Sequence, residues 1–127
     1  MFEIVEEPGR LLRVARTGVW TQAVAARYRL AMQRALAGAD RASPPLLLLI
    51  DITVAGTLPK EAMDEMAGTA QAIGRSAVRR CAVVGDSAVA RLQAKRLLGP
   101  MVEYDSFDTM AEAREWLTGP LAEPPAR

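Results

Sequence analysis

Pro44-Pro45-Leu46-Leu47-Leu48-Leu49-Ile50-Asp51-Ile52-Thr53-Val54-Ala55-Gly56-Thr57-Leu58-Pro59 is the stretch that decides the fold. Five apolar residues run straight into an aspartate, and a Gly/Pro loop follows. Leu46–Ile50 is too short for a free-standing helix, and prolines bound it. Side chains that are apolar at every position, not at alternate ones, fit a strand buried on both faces. Such a strand lies inside a layered fold and brings Asp51 and its neighbours to one rim of the sheet.

Toward the C-terminus, Pro59 suits a first helical position. The helix it opens runs to about Ile73 and buries Ala62, Met66, Ala70 and Ile73, with Met63 beside them and Gly74 at its end. Arg79–Val84 is a second strand with apolar residues on both faces. Asp86 or Ser87 caps the next helix, with Val89, Leu92, Arg96 and Leu97 bracketing its inner edge; Gly99-Pro100 ends it. Met101–Tyr104 reads as a short strand. Thr109 and Glu112 have capping-box spacing and open a last helix to Leu117. The proline-rich tail, residues 119–127, is expected to fray.

Toward the N-terminus, Phe2 and Ile4 alternate with acids, as in a half-buried strand. Glu7-Pro8-Gly9-Arg10 is a turn, and Leu12 and Val14 resume the alternation up to Thr17-Gly18, giving an antiparallel hairpin. Thr21 caps a helix to about Ala37, with Val24, Tyr28, Ala31 and Ala35 inward and Arg27, Arg29, Gln33 and Arg34 toward solvent. Gly38 stops it, and a polar loop leads to Pro45. The element order is β-β-α-β-α-β-α-β-α. This predicts an α/β fold over residues 1–118, one domain, with a mostly parallel five-stranded sheet and an antiparallel first edge strand.

A chain of 127 residues with 50% hydrophobic content can bury a core without a metal or disulfide. Its net charge of +1 gives no global attraction to nucleic acid or an anionic membrane. The absence of histidine removes the usual general base, the commonest zinc ligand and any histidine triad. Cys81, inside Arg80-Cys81-Ala82-Val83-Val84, reads as a buried structural thiol. A single cysteine fits a reducing cytoplasm. The acidic, alternating N-terminus is not a signal peptide, and Leu46–Ile50 is too short to span a bilayer. Arg75, Arg79 and Arg80, and then Arg91, Lys95 and Arg96, form basic groups without interleaved aromatics. They read as solvated faces, and no nucleic-acid partner is expected.

In open α/β sheets, ligands bind beyond the carboxyl ends of the strands. Asp51, Asp86 and Asp105 fall there, with Thr53, Ser87 and Ser106. They either form a small polar site or cap helices and brace loops, which is the more ordinary use of such residues. No two acids stand side by side as in a phosphate receiver, and Gly85-Asp86-Ser87 is too poor in glycine to cradle phosphates. Glu61, Asp64 and Glu65 complement the dipole of the second helix. That helix is thin, with Ala62, Ala67, Gly68, Ala70, Ala72 and Gly74, and its Met63 and Met66 are pliable. It can lie close to the sheet or leave room for an apolar ligand. Trp20 and Tyr28 lie near the start and middle of the first helix and read mostly as core, although partial exposure would let Trp20 anchor a partner.

The order of elements, together with several local stretches, resembles the SpoIIAA-like group, the STAS domains of sulfate transporters and anti-sigma factor antagonists, in particular their stand-alone bacterial branch. The stretches are the opening strand pair, Gly18-Val19-Trp20-Thr21, Leu48-Leu49-Ile50-Asp51, Ala82-Val83-Val84-Gly85, Ala90-Arg91-Leu92-Gln93, and Phe107 with Ala113-Arg114-Glu115-Trp116-Leu117. The resemblance implies a SpoIIAA-like fold with a non-catalytic regulatory or ligand-binding role. It also implies partner switching, in which phosphorylation of a serine after the third strand abolishes binding. The matching stretch here, Thr57-Leu58-Pro59-Lys60-Glu61-Ala62, contains no serine. The expectation is therefore a protein-interaction domain without the usual serine phospho-switch, its partner an anti-sigma factor-like regulator. The alternative is a binding protein or sensor for a small apolar ligand or lipid. The residues expected to bind are Asp51, Thr53, Thr57, Met63, Met66, Asp86, Ser87 and Trp20; no catalytic residue, cofactor or metal is expected. Were the helices to cover only one face of the sheet, a homodimer could cover the other.

Overall fold

In the computed structural model, which describes residues 1–38 and 45–119, the deciding segment is a strand. It is the third of five, β3 (Leu46–Ala55), and it lies between β2 (Leu11–Gly18) and β4 (Val78–Val84), parallel to both. β1 (Phe2–Glu7) pairs antiparallel with β2 at one edge, and β5 (Glu103–Phe107) pairs parallel with β4 at the other. The spatial order β1-β2-β3-β4-β5 puts β3 at the centre. Leu48 and Ile50 join one hydrophobic cluster, Leu47 and Leu49 the other, which accounts for the unbroken apolar run.

Four helices follow the strands: α1 (Gln22–Ala37), α2 (Lys60–Gly74), α3 (Ala88–Leu98) and α4 (Met110–Thr118). The parallel strands step in one direction across the sheet, so right-handed crossovers place α1, α2 and α3 on a single face. α4 follows the last strand and is free to fold over the opposite face. There Ala113 and Leu117 pack on Leu49, Ala82 and Val84. The face for which a homodimer was considered is thus already covered at β3 and β4.

The hairpin turns at Gly9 (φ 86°) and Arg10 (φ 61°), both left-handed. Glycine is the residue that adopts this region without steric cost. Thr21 caps α1, its Oγ1 accepting from the Val24 amide at 3.3 Å. Phe2, Trp20 and Tyr28 form an aromatic group, in which Tyr28 meets Trp20 and Phe2 edge-to-face at 4.9 and 5.3 Å and Phe2 tilts against Trp20 at 6.0 Å.

Several sequence expectations need correction. The inner stripe of α1 is Val24, Ala25, Tyr28, Met32 and Leu36. Ala31 and Ala35 are only half-buried, because the stripe follows four-residue steps after Tyr28 and uses the longer side chains to reach the sheet. On α3 the buried residues are Ala90, Ala94 and Leu98, while Val89, Leu92 and Arg96 face outward. Small alanines let that helix settle closely on its neighbours. Pro59 is the cap of α2, one residue outside it. β5 starts at Glu103 rather than Met101, because the amides of Met101 and Val102 both donate to Leu98 O and close α3. β3 continues to Ala55, so Asp51 and Thr53 lie within the strand and not beyond its end. Arg80, read as part of a solvated basic face, is buried. The expected loop from Gly38 to Pro45 and the tail at 119–127 fall, apart from their described ends, outside the described residues.

Candidate functional site

The carboxyl ends of β2, β3 and β4 meet at one rim. Val19 follows β2, Val54 lies near the end of β3, and Val89 opens α3 after β4. Their exposures are 75, 71 and 59%. The Gly56 amide donates to Gly18 O at 3.2 Å and ties the first two connections together. A close approach holds the third: a Cβ on Gly85 would meet Ile52 Cγ1 at 2.8 Å. The loop into α2 is clipped to α3 by a pair of bonds. The Leu58 amide donates to Gln93 Oε1 at 3.0 Å, and Gln93 Nε2 donates to Leu58 O at 3.2 Å.

The polar residues expected at this rim have separate tasks. Asp51 Oδ1 accepts from the amide and hydroxyl of Thr53 at 2.9 and 2.6 Å. These bonds sit at an irregularity of the ladder, where Ile52 and Thr53 of β3 stand opposite the single residue Arg16 of β2. A bulge leaves an amide out of the ladder, and Asp51 supplies an acceptor. Ser87 Oγ accepts from the Ala90 amide at 3.2 Å and caps α3. Asp105 caps no helix; it pairs with Ala82 in the sheet, and its Oδ1 accepts from the Ser106 amide. Thr109 caps α4 and shares a hydrogen bond with Glu112, as the capping-box spacing predicts. Thr57 and Asp86 stay exposed on the rim. Among the described residues, no group of three His, Cys, Asp or Glu side chains is placed to hold a metal ion.

Trp20 is buried, with its Nε1 donating to Thr17 O at 3.0 Å. It belongs to the core and offers no surface to a partner. Met66 is also buried, and Met63 is half-buried against the same cluster. The structure therefore does not join the methionines to the rim. Met66 instead lines a second feature, a cavity of about 30 Å³ between α2, α3 and the sheet. α2 packs chiefly on α1, where a Cβ on Gly68 would meet Arg29 Cδ at 2.8 Å, and it stands back from the strands. The thin face of α2 thus serves its neighbour helix, and the space is left on its inner side.

Arg16 lines this cavity and is 6% exposed. Its guanidinium carbon lies 5.2 Å from the Trp20 ring centroid, and its Nη1 has no hydrogen-bond partner among the described residues. Desolvation pulls its pKa below the ordinary arginine value, with Tyr28 opposing this. Burial pushes the Tyr28 phenol up to about 12, against the pull of the Arg16 charge. Burial also raises the Cys81 thiol, which is inert as a nucleophile in this state. Reasoning from sequence missed Arg16. The available signal was its phase: it continues the inward alternation Leu12, Val14, Arg16.

A five-stranded sheet of this order, backed by three helices on one face and one on the other, defines the SpoIIAA-like class of α/β proteins. The SpoIIAA-like family model matches residues 11–118, and the chain belongs to that family. Two solved structures share the fold. An uncharacterised protein of Shewanella loihica PV-4 with a SpoIIAA-like fold is 22% identical, with a TM-score of 0.70 over 92% of each chain. An anti-sigma factor antagonist from Mycobacterium paratuberculosis is 17% identical, with a TM-score of 0.63 over 94% of this chain and 96% of the other. No curated protein matches the chain. No helix among the described residues is long and apolar enough to cross a membrane.

Proposed function

We propose that the chain is a non-catalytic regulatory domain that docks a protein partner on the rim at the carboxyl ends of β2, β3 and β4. The observation that carries this reading is the set of three exposed valines, Val19, Val54 and Val89, beside the connections that the hydrogen bonds above hold in place. Exposed apolar side chains with polar neighbours, here Thr57 and Asp86, are what a protein interface uses. The likeness to an anti-sigma factor antagonist supports a partner of the anti-sigma factor type. Residues 57–62 carry no serine, so binding would be regulated otherwise than by the usual serine phosphorylation.

The test is capture of partners from the native cell with the wild-type chain and with Val54→Asp. An exposed strand position tolerates the substitution, so circular dichroism should be unchanged. Partners held by the rim should drop at least tenfold with the variant, since a buried unpaired charge costs about 1.4 kcal/mol or more. The same partners recovered equally by both baits would remove the rim from the proposal.

A further inference from the structure

Arg16 is the one residue of the cavity lining that carries a charge, and no carboxylate lines the cavity. Among the described residues it enters no ion pair, and its Nη1 finds no acceptor. A guanidinium does not escape burial by losing its proton, because it stays charged in proteins. The Trp20 ring offsets part of the cost, but a ring accepts no in-plane hydrogen bond. Tyr28 lines the same cavity and is buried, and its hydroxyl makes no hydrogen bond among the described residues. Burial keeps that phenol neutral, so it retains a proton to donate. The third polar side chain of the wall, Thr69, already donates to Glu65 O at 3.2 Å. The cavity thus offers two donors, one of them cationic, inside a wall that is otherwise apolar.

Size and donor pattern together select the ligand. A volume of about 30 Å³ has room for one or two water molecules, and so for a single monatomic ion. A water molecule would accept from Arg16, but it would bring hydrogens for which this wall has few acceptors. It would also leave the buried charge uncompensated. A monatomic anion accepts from both donors, has no hydrogen of its own to satisfy, and pairs the charge. Its attraction to the guanidinium is strong where water is excluded. We propose that this cavity binds one chloride ion, held by the Arg16 guanidinium and the Tyr28 hydroxyl within the apolar wall. The backbone holds the cation in place for it: the ladder irregularity opposite Ile52 and Thr53 fixes Arg16 inward, in phase with Leu12 and Val14. The ion has a structural task, separate from the docking of a partner on the rim.

Sodium chloride is the probe, with sodium gluconate, an anion too large for the cavity, as the control. Ionic strength is matched, so that screening is the same in both. Chloride is expected to raise the melting midpoint of the full chain above its value in gluconate in a saturable way, because a ligand that binds only the folded state stabilises it. In Arg16→Met this chloride-specific rise should shrink at least tenfold. Bromide serves as the heavy analogue: a crystal of the wild type grown in sodium bromide should show an anomalous scattering peak in the cavity, within hydrogen-bond reach of Arg16 and Tyr28. This readout decides the matter even if the variant fails to fold. Equal midpoints in chloride and gluconate, a chloride-specific rise that Arg16→Met retains, or ordered water in the cavity with no bromide peak would each overturn the proposal. A bromide peak without a chloride-specific rise would mean an adventitious ion only, and would overturn it as well.

Discussion

Among the described residues two arginines are buried, one on each face of the sheet, and each lies over a tryptophan. Under α4, the Arg80 carbon is 4.8 Å from the Trp116 ring centroid. Its Nε donates to Glu103 Oε2 at 3.0 Å and its Nη1 to Trp116 O at 2.7 Å. Under α1 and α2, Arg16 has the ring of Trp20 but, among the described residues, no acceptor for Nη1. The first arginine pegs a short helix to the sheet by its backbone carbonyl. The second has the burial of a structural residue without the partners of one. The faces around them differ in the same sense. α4 lies directly on β4 through Ala113 and Ala82, whereas α2 leans on α1 and leaves a cavity. A side chain can therefore be equally buried for opposite reasons, and its hydrogen-bond account separates them.

The largest test of this contrast is the same substitution at both sites. Arg80→Met should cost about 3 kcal/mol in urea unfolding, because it strands the Trp116 carbonyl and leaves Glu103 unpaired. Arg16→Met should leave stability unchanged or raise it by about 1 kcal/mol, because it removes a buried charge without a partner. Equal losses at the two sites would abolish the distinction.

Next in size is a test of the close approach of α4. Ala113→Leu should cost about 2 kcal/mol, since Ala113 is fully buried and added carbons have no space there. A neutral result would mean that α4 floats on the sheet rather than resting on it.

The smallest expected effect concerns the ion cluster at the β1 end of that face. Glu7 accepts from Arg114 of α4 and from Arg13 of β2, at 2.8 and 2.7 Å. Hydrogen bonds first from Arg114 and then from Arg13 lower its pKa from 4.5 to about 2. A carboxylate held down in the folded state adds stability above its unfolded value, and that stability fades as pH falls through the folded one. The stability gap between wild type and Glu7→Gln should be full above pH 4.5 and vanish near pH 2. A gap that persists at the acidic end would show that the residue acts by packing alone.

The central position of β3 was legible because only a strand covered on both sides has five apolar residues in a row. The caps at Thr21, Ser87 and Thr109 were legible because they depend on neighbours a turn away. The length of β3 was readable in principle, since Ile52, Thr53 and Val54 continue a β-branched run past Asp51. Aspartate is disfavoured in strands, and the bond that keeps Asp51 in this one, to Thr53 at a ladder irregularity, is a three-dimensional fact. The burial of Arg16 and Arg80 was out of reach for the same reason. Whether a long cationic side chain lies under a helix or reaches solvent depends on where that helix settles. On α1 and α3 the inner stripe was misplaced by a residue or so, because alanines and larger apolar residues compete for the same face.

The spatial order of the strands has a consequence for biosynthesis. Every strand docks beside the one made just before it, so the sheet can grow at one edge as the chain leaves the ribosome. α4, which covers β3 and β4, is translated after both of them. Until Met110–Thr118 emerges, Leu49, Ala82 and Val84 form a bare greasy strip on a nearly complete domain. A nascent chain stalled at that point would be prone to clump or to need a chaperone, and the closing helix acts as its lid.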